Sequence, residues 1–174
     1  ASFVGATSIR IYELGYDNRP PNADELKRMQ DHVRLAMEDG AMGLGSSLIY
    51  APADYASTDE LIALARVAAS YGGMYTTHMR SEGDFILKAL NEALVISREA
   101  NIPTEIYHLK INIARNWNKI DSVLNKIDSA RRAGLKITAN NYPYIASATG
   151  LTARLPKWVQ EGGAVEMRKR LRNP

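Results

Sequence analysis

Met74-Tyr75-Thr76-Thr77-His78 and Glu105-Ile106-Tyr107-His108 are two short strand-like runs, and each closes on a histidine. Between them, about Asp84 to Ala100, a helical stripe carries Ile86, Leu87, Leu90, Leu94 and Ile96, and Pro103 breaks it. A strand, a loop and a helix recurring about every 30 residues is the pattern of a parallel α/β fold, because parallel neighbours need a crossover helix between them.

Outward from that unit the same period continues in both directions. Upstream, Asn22 and Glu25 make a capping-box pair before the stripe Leu26, Met29, Val33, Ala36 and Met37, which Gly40 closes. Ala41-Met42-Gly43-Leu44-Gly45 then reads as a buried strand, and a polar loop runs through Tyr50, Pro52 and Tyr55. Thr58 is the expected cap of the next helix, which carries Leu61, Ile62, Leu64, Ala65, Val67 and Ala68 and stops at Gly72-Gly73. Downstream, a helix over about Lys119 to Ala133 ends at Gly134, and Leu135-Lys136-Ile137-Thr138-Ala139 leads into Asn140-Asn141-Tyr142-Pro143-Tyr144. A doubly wound sheet and a (β/α)8 TIM barrel both fit this alternation. Gly40, Gly43 and Gly45 lack the G-x-G-x-x-G spacing of a dinucleotide loop, so we favour the barrel.

Composition narrows the functional classes. The chain has 174 residues, 45% hydrophobic and 24% charged, the balance of one globular domain, and we read 1–174 as a single unit. It has no cysteine, which excludes a disulfide framework and thiolate metal sites and fits a cytoplasmic setting. It shows no signal peptide and no apolar run long enough to span a membrane. The net charge is +3, with Arg168, Lys169, Arg170 and Arg172 clustered on a helical pattern. That cluster suits a solvated helix end rather than nucleic acid, since no aromatic interleaving accompanies it.

Three histidines are present. His78 and His108 hold equivalent places one repeat apart, and adjacent barrel strands project into one mouth. Two neutral imidazoles there suit zinc or a related divalent ion, although each also reads as a satisfied strand-end histidine. His32 sits mid-helix beside Asp31 and reads as a surface residue. Lys110, two residues after His108, points the same way on an extended strand, either toward an anion such as a substrate carboxylate or out to water. Arg80 and Glu82, after His78, pose the same choice, and we favour a salt bridge bracing the loop over contact with substrate. Tyr142 and Tyr144 flank Pro143, where a phenol can donate to a developing oxyanion or simply stiffen a turn. Tyr50 lines the same pocket or packs in the core.

Together the segments Gly40 to Pro52, Tyr55 to Leu61, Tyr71 to Gly83, Glu105 to Lys110, Asn116-Trp117, Tyr142 to Tyr144 and Ala148 to Leu151 resemble the D-aminoacylase branch of the amidohydrolase superfamily. The resemblance covers nearly the whole chain. It implies a (β/α)8 barrel beside a small β-sandwich, and hydrolysis of N-acyl-D-amino acids to a carboxylate and a D-amino acid. It implies that His78 and His108, ending barrel strands five and six, bind the metal, zinc as a rule. Lys110 and Tyr142 then hold the substrate carboxylate and polarise the scissile carbonyl, and Tyr50 is a pocket residue. The family's H-x-H pair, bridging cysteine and catalytic aspartate have no counterpart here, and Asn140 stands where relatives often carry Asp.

The resemblance therefore implies an internal stretch of the barrel, from about strand three or four to strand seven, inactive in isolation. Such a stretch has open sheet edges through which copies can pair. A cyclic-amide hydrolase of the dihydroorotase or hydantoinase kind, and a non-catalytic oligomerisation or binding module, are the alternatives.

Overall fold

Asn22 starts the longest helix as expected. Its side chain accepts from the Glu25 N–H at 2.9 Å, and the Glu25 carboxylate accepts from the Asn22 N–H at 2.8 Å. Arg19 grips the same carboxylate and, with that capping N–H, draws its pKa down to about 2. In the computed structural model, which describes residues 1–172, the strands are β1 (Val4–Gly5), β2 (Gly43–Ser47), β3 (Met74–His78), β4 (Thr104–Ile106) and β5 (Ile137–Ala139). The helices are α1 (Ala6–Leu14), α2 (Ala23–Glu38), α3 (Thr58–Ser70), α4 (Ile86–Glu99), α5 (Ile120–Arg132), α6 (Lys157–Gln160) and α7 (Gly163–Arg172). Among the described residues no helix is long and apolar enough to cross a membrane.

All five strands are parallel and pair in chain order, β1-β2-β3-β4-β5. A doubly wound sheet reverses its strand order at a switch point, and this one never does. Consecutive helices α2, α3, α4 and α5 also touch one another in sequence, forming one outer layer. That is the arrangement of an arc of a (β/α) barrel, the architecture expected from the sequence.

Several local readings shift. The cap of α3 is Ser57, one residue before the expected Thr58; its Oγ accepts from the Glu60 N–H at 3.1 Å. Thr58 instead donates to Glu92 on α4 at 2.8 Å. β2 lies two residues later than Ala41–Gly45, because its register with β3 starts at Gly43 opposite Met74. Helix α1 lies ahead of the elements legible in the sequence. It is rich in β-branched Thr7, Ile9 and Ile11, which weaken a helical signal. What secures it is tertiary: buried Arg10 pairs with buried Glu60 on α3 at 2.6 Å and donates to the Arg19 carbonyl at 2.6 Å. Burial pushes the Glu60 carboxyl up while Arg10 opposes that shift.

The apolar interior forms two clusters between sheet and helices. One joins Met29 and Val33 of α2 with Leu61, Leu64 and Tyr75; the other joins Leu90 of α4 with Ile106, Val123 and Ile137. Gly43 sets how closely β2 approaches β3. A Cβ there would lie 1.9 Å from the Met74 carbonyl oxygen, and its φ is +148. Gly43→Ala is expected to cost about 3 kcal/mol or more, from strain and overlap together. Urea unfolding of the variant measures it, and an unchanged midpoint would show that the two strands have room to part.

Candidate metal centre at the strand ends

Parallel pairing aligns the ends of neighbouring strands, and β2 to β3 pairing carries Ser47 opposite His78. His78 is the last residue of β3. His108 is not on β4, which stops at Ile106; the chain instead turns through the left-handed region at His108, with φ +38. A non-glycine residue there is strained unless its surroundings hold it. Here the Asn140 side-chain oxygen accepts from the His108 N–H at 2.6 Å, and the Leu109 N–H donates to the Asn140 carbonyl at 2.8 Å. Asn140 Nδ2 in turn donates to Glu105 at 2.9 Å, so the first turn after β5 pins the turn after β4.

The result is convergence. His78 Nδ1 lies 2.9 Å from His108 Nε2, with the rings edge to face at 4.6 Å. The Nε2 of His78 is buried and has no hydrogen-bond partner. Burial is the main cause that lowers the His78 pKa; the Glu82 charge opposes it, and His108 and Lys110 add to it. A neutral imidazole is what a metal requires of a histidine.

Salt bridges do brace the loop after His78, but Arg80 and Glu82 each pair elsewhere and not with one another. Arg80 turns the other way, to Glu92 at 2.9 Å and to the carbonyls of Asp54 at 2.7 Å and Ala56 at 2.9 Å. Glu82 faces the histidines, with a side chain 6% exposed. Its Oε1 is 2.6 Å from Lys110 Nζ and 3.1 Å from His108 Nδ1, and its Oε2 accepts from Asn112 at 2.9 Å. Lys110 thus reaches the histidines by way of a turn, not along an extended strand, and its anion is a residue of this chain. Its Nζ also lies 2.9 Å from His108 Nδ1.

The other expected residues line the rim. The Tyr142 ring lies 6.3 Å from His108 and 5.6 Å from Lys110 Nζ. Tyr50 lies 6.3 Å from the His78 ring, and its hydroxyl meets Thr149 at 2.6 Å. Tyr144 is exposed and tilts against Tyr142. Asn116 is buried and ties Asp84 to the 3-10 turn Ala114–Lys119, while Arg115 helps draw the Asp84 carboxyl down to about 2. His32, by contrast, is far from this group and bonds Glu13 at 2.9 Å. An open cleft of about 1400 Å³ faces the cluster, lined by His78, Glu82, His108, Lys110, Tyr50 and Tyr142 among others.

His78, Glu82 and His108 offer ligand atoms within 4.8 Å of one another. Two nitrogens on a tetrahedral zinc stand about 3.3 Å apart, so the 2.9 Å pair needs to open by only a few tenths of an ångström. Chemically the set fits a borderline divalent ion better than magnesium or calcium, which want oxygen.

No family model matches the chain. Among curated proteins it is 36% identical to N-acyl-D-glutamate deacylase of Alcaligenes xylosoxydans xylosoxydans over 149 residues, covering 86% of this chain and 30% of that protein. It is 34% identical to D-aminoacylase of the same organism over 151 residues, covering 87% and 31%. Among solved structures, a D-aminoacylase described as defining a subset of amidohydrolases superposes with a TM-score of 0.78 at 35% identity, over 82% of this chain and 30% of that one. N-acyl-D-glutamate deacylase from Bordetella bronchiseptica, complexed with zinc and a phosphonate inhibitor, gives 0.79 at 36% identity, over 83% and 30%. The chain spans about 30% of the length of the relatives it matches.

Burial of neutral His78 has a consequence for acid stability. Its folded pKa lies below the ordinary 6.5, so the unfolded chain takes the proton first as pH falls. Stability is therefore full above about pH 6.5 and is lost as pH falls through the folded value. Urea unfolding in chelator at pH 8, 6.5 and 5.5 is expected to show that decline, and His78→Asn is expected to flatten it. An equal decline in the variant would assign it to other groups. Sequence and fold agree with the spacing of the strand-end histidines: over more than four fifths of its length this chain is similar to deacylases of the D-aminoacylase group of amidohydrolases.

Proposed function

We propose that this chain forms the metal-holding and substrate-facing wall of a hydrolytic site that cleaves the amide bond of N-acyl-D-amino acids. The observation that carries the reading is the approach of His78 Nδ1 and His108 Nε2 to 2.9 Å at the mouth of adjacent strands. The relatives named above, deacylases of N-acyl-D-amino acids, support it and do not favour a cyclic-amide hydrolase.

In this reading His78 and His108 would hold a divalent ion such as zinc, which when bound supplies Lewis acidity to the scissile carbonyl. The remaining work falls to the chain's own side chains. Lys110 Nζ is held at 2.6 Å by Glu82 at the rim of the cleft, where it can also donate to a substrate carboxylate. Tyr142, beside Lys110 and His108, brings a phenol to the mouth, where it can donate to oxygen as negative charge builds on the carbonyl. Tyr50, tethered to Thr149, closes one side of the cleft and orients the acyl end. The ends of the strand order, β1 and β5, are where a second sheet edge would pair.

Zinc titration of the chain by calorimetry tests the metal reading. The expected result is one saturable site at pH 8, absent in the His78→Ala, His108→Ala double variant. Heat that is absent in the parent chain, or unchanged in the variant, would overturn the assignment of these two histidines.

A further inference from the structure

We propose that Arg80 is a positioning residue for the cleft: anchored by Glu92 on α4, its guanidinium holds the turn of residues 50–56 and so keeps the Tyr50 ring beside His78. The inference rests on the reading above for its use, since Tyr50 closes the acyl side there, and on geometry for its content.

Within the turn, backbone hydrogen bonds tie residues only to one another. The Asp54 N–H donates to the Tyr50 carbonyl at 3.0 Å, the Tyr55 N–H to Pro52 at 3.1 Å and the Ala56 N–H to Ala53 at 3.1 Å. Buried Ala53 and Ala56 seat the turn in the core, but hydrophobic contact is non-directional and two methyl groups leave its tilt open. The carbonyls of Asp54 and Ala56 are taken by Arg80, whose Nη1 donates to the first at 2.7 Å and whose Nη2 donates to the second at 2.9 Å.

The other edge of the guanidinium meets Glu92. Nε donates to Oε2 and Nη2 to Oε1, both at 2.9 Å, and Thr58 donates to the same Oε1 at 2.8 Å. Glu92 stands on α4, which packs against α3, α5 and β4, so the carboxylate is a fixed post. A planar fork engaged on both edges cannot rotate, and it carries the position of α4 to the turn. The chain of bonds runs from Glu92 through Arg80 and Asp54 to Tyr50, whose ring ends 6.3 Å from that of His78.

Two further ties reach this turn, and both are anchored in exposed groups. Lys157 pairs with the Asp54 side chain at 3.0 Å, but its own side chain is 60% exposed, and such pairs contribute little. The Tyr50 hydroxyl meets Thr149 at 2.6 Å, and Thr149 is itself exposed. Arg80→Lys keeps the charge, yet one nitrogen cannot span a carboxylate and two carbonyls.

The experiment uses the whole chain at pH 8 with chelator and reads nuclear Overhauser contacts between the Tyr50 and His78 rings, with Tyr50 assigned through Tyr50→Phe. The contact is expected in the parent chain and in Lys157→Ala. In Arg80→Lys it is expected to vanish, while the distant Tyr12–His32 ring contact at 4.9 Å persists. An Arg80 that served stability alone would lower the melting temperature and leave the Tyr50–His78 contact standing, and that result would overturn the proposal. Should Arg80→Lys fail to fold, Glu92→Gln decides the matter, because it removes the charge that anchors the fork. It is expected to weaken the contact, and a contact of parent strength would overturn the proposal equally.

Calorimetry of the zinc-loaded chain with N-acetyl-D-glutamate reads the consequence for binding. Arg80→Lys is expected to weaken binding about tenfold, the effect of a misplaced pocket group. The Tyr50→Ala, Arg80→Lys double variant is expected to bind no worse than Tyr50→Ala alone, because Arg80 acts through Tyr50; additive losses would count against it. If the zinc-loaded parent chain binds no substrate, the reading of the cleft as a deacylase wall fails separately, and the ring contact still decides the part played by Arg80.

Discussion

Parallel pairing of β2, β3 and β4 in chain order governs where every other group of interest comes to lie. Because each strand enters the sheet in the same direction, each releases its following loop at the same rim. The close approach at Gly43 and Met74 fixes the β2–β3 register, and that register puts His78 at the rim opposite Ser47. A slip of one residue would turn His78 toward the helices and leave the cleft without its first imidazole.

The rim is also where the charges gather. Asp84, Arg80, Glu82, Glu92 and Lys110 are all paired within the loops that follow β3 and β4 or with α4. Arg80 knits its own loop to α4 and to the carbonyls of the preceding segment, so it serves the scaffold. Glu82 serves the histidines. Arg80 and Glu82, two residues apart, take separate partners because β3 has already ended at His78 and the bent loop after it no longer holds alternate side chains on one side.

Much of this was legible in the sequence for a definite reason. A hydrophobic stripe and a strand run are local patterns, so the order of elements, the capping box at Asn22 and the matched histidines follow from short windows. What the windows miss depends on contacts across the chain. Helix α1 is held by Arg10 reaching Glu60, 50 residues away, and its own sequence is a poor helix former. The partner of Glu82 could not be guessed from Arg80 beside it, since Lys110 arrives only through the left-handed turn at His108. Ser57 and Thr58 are equally good caps by composition, and the pull of Glu92 on Thr58 decides between them.

The Asn140 amide binds two partners of opposite need, accepting from the His108 N–H and donating to the Glu105 carboxylate. Only a side chain with both a carbonyl and an amino group can do so without a proton of its own to spare. An aspartate in that position would set two carboxylates against each other, and one of them would have to stay protonated or leave. Positions 105 and 140 are therefore a chemical couple: the acid at one is met by the amide at the other, and the turn that presents His108 depends on both.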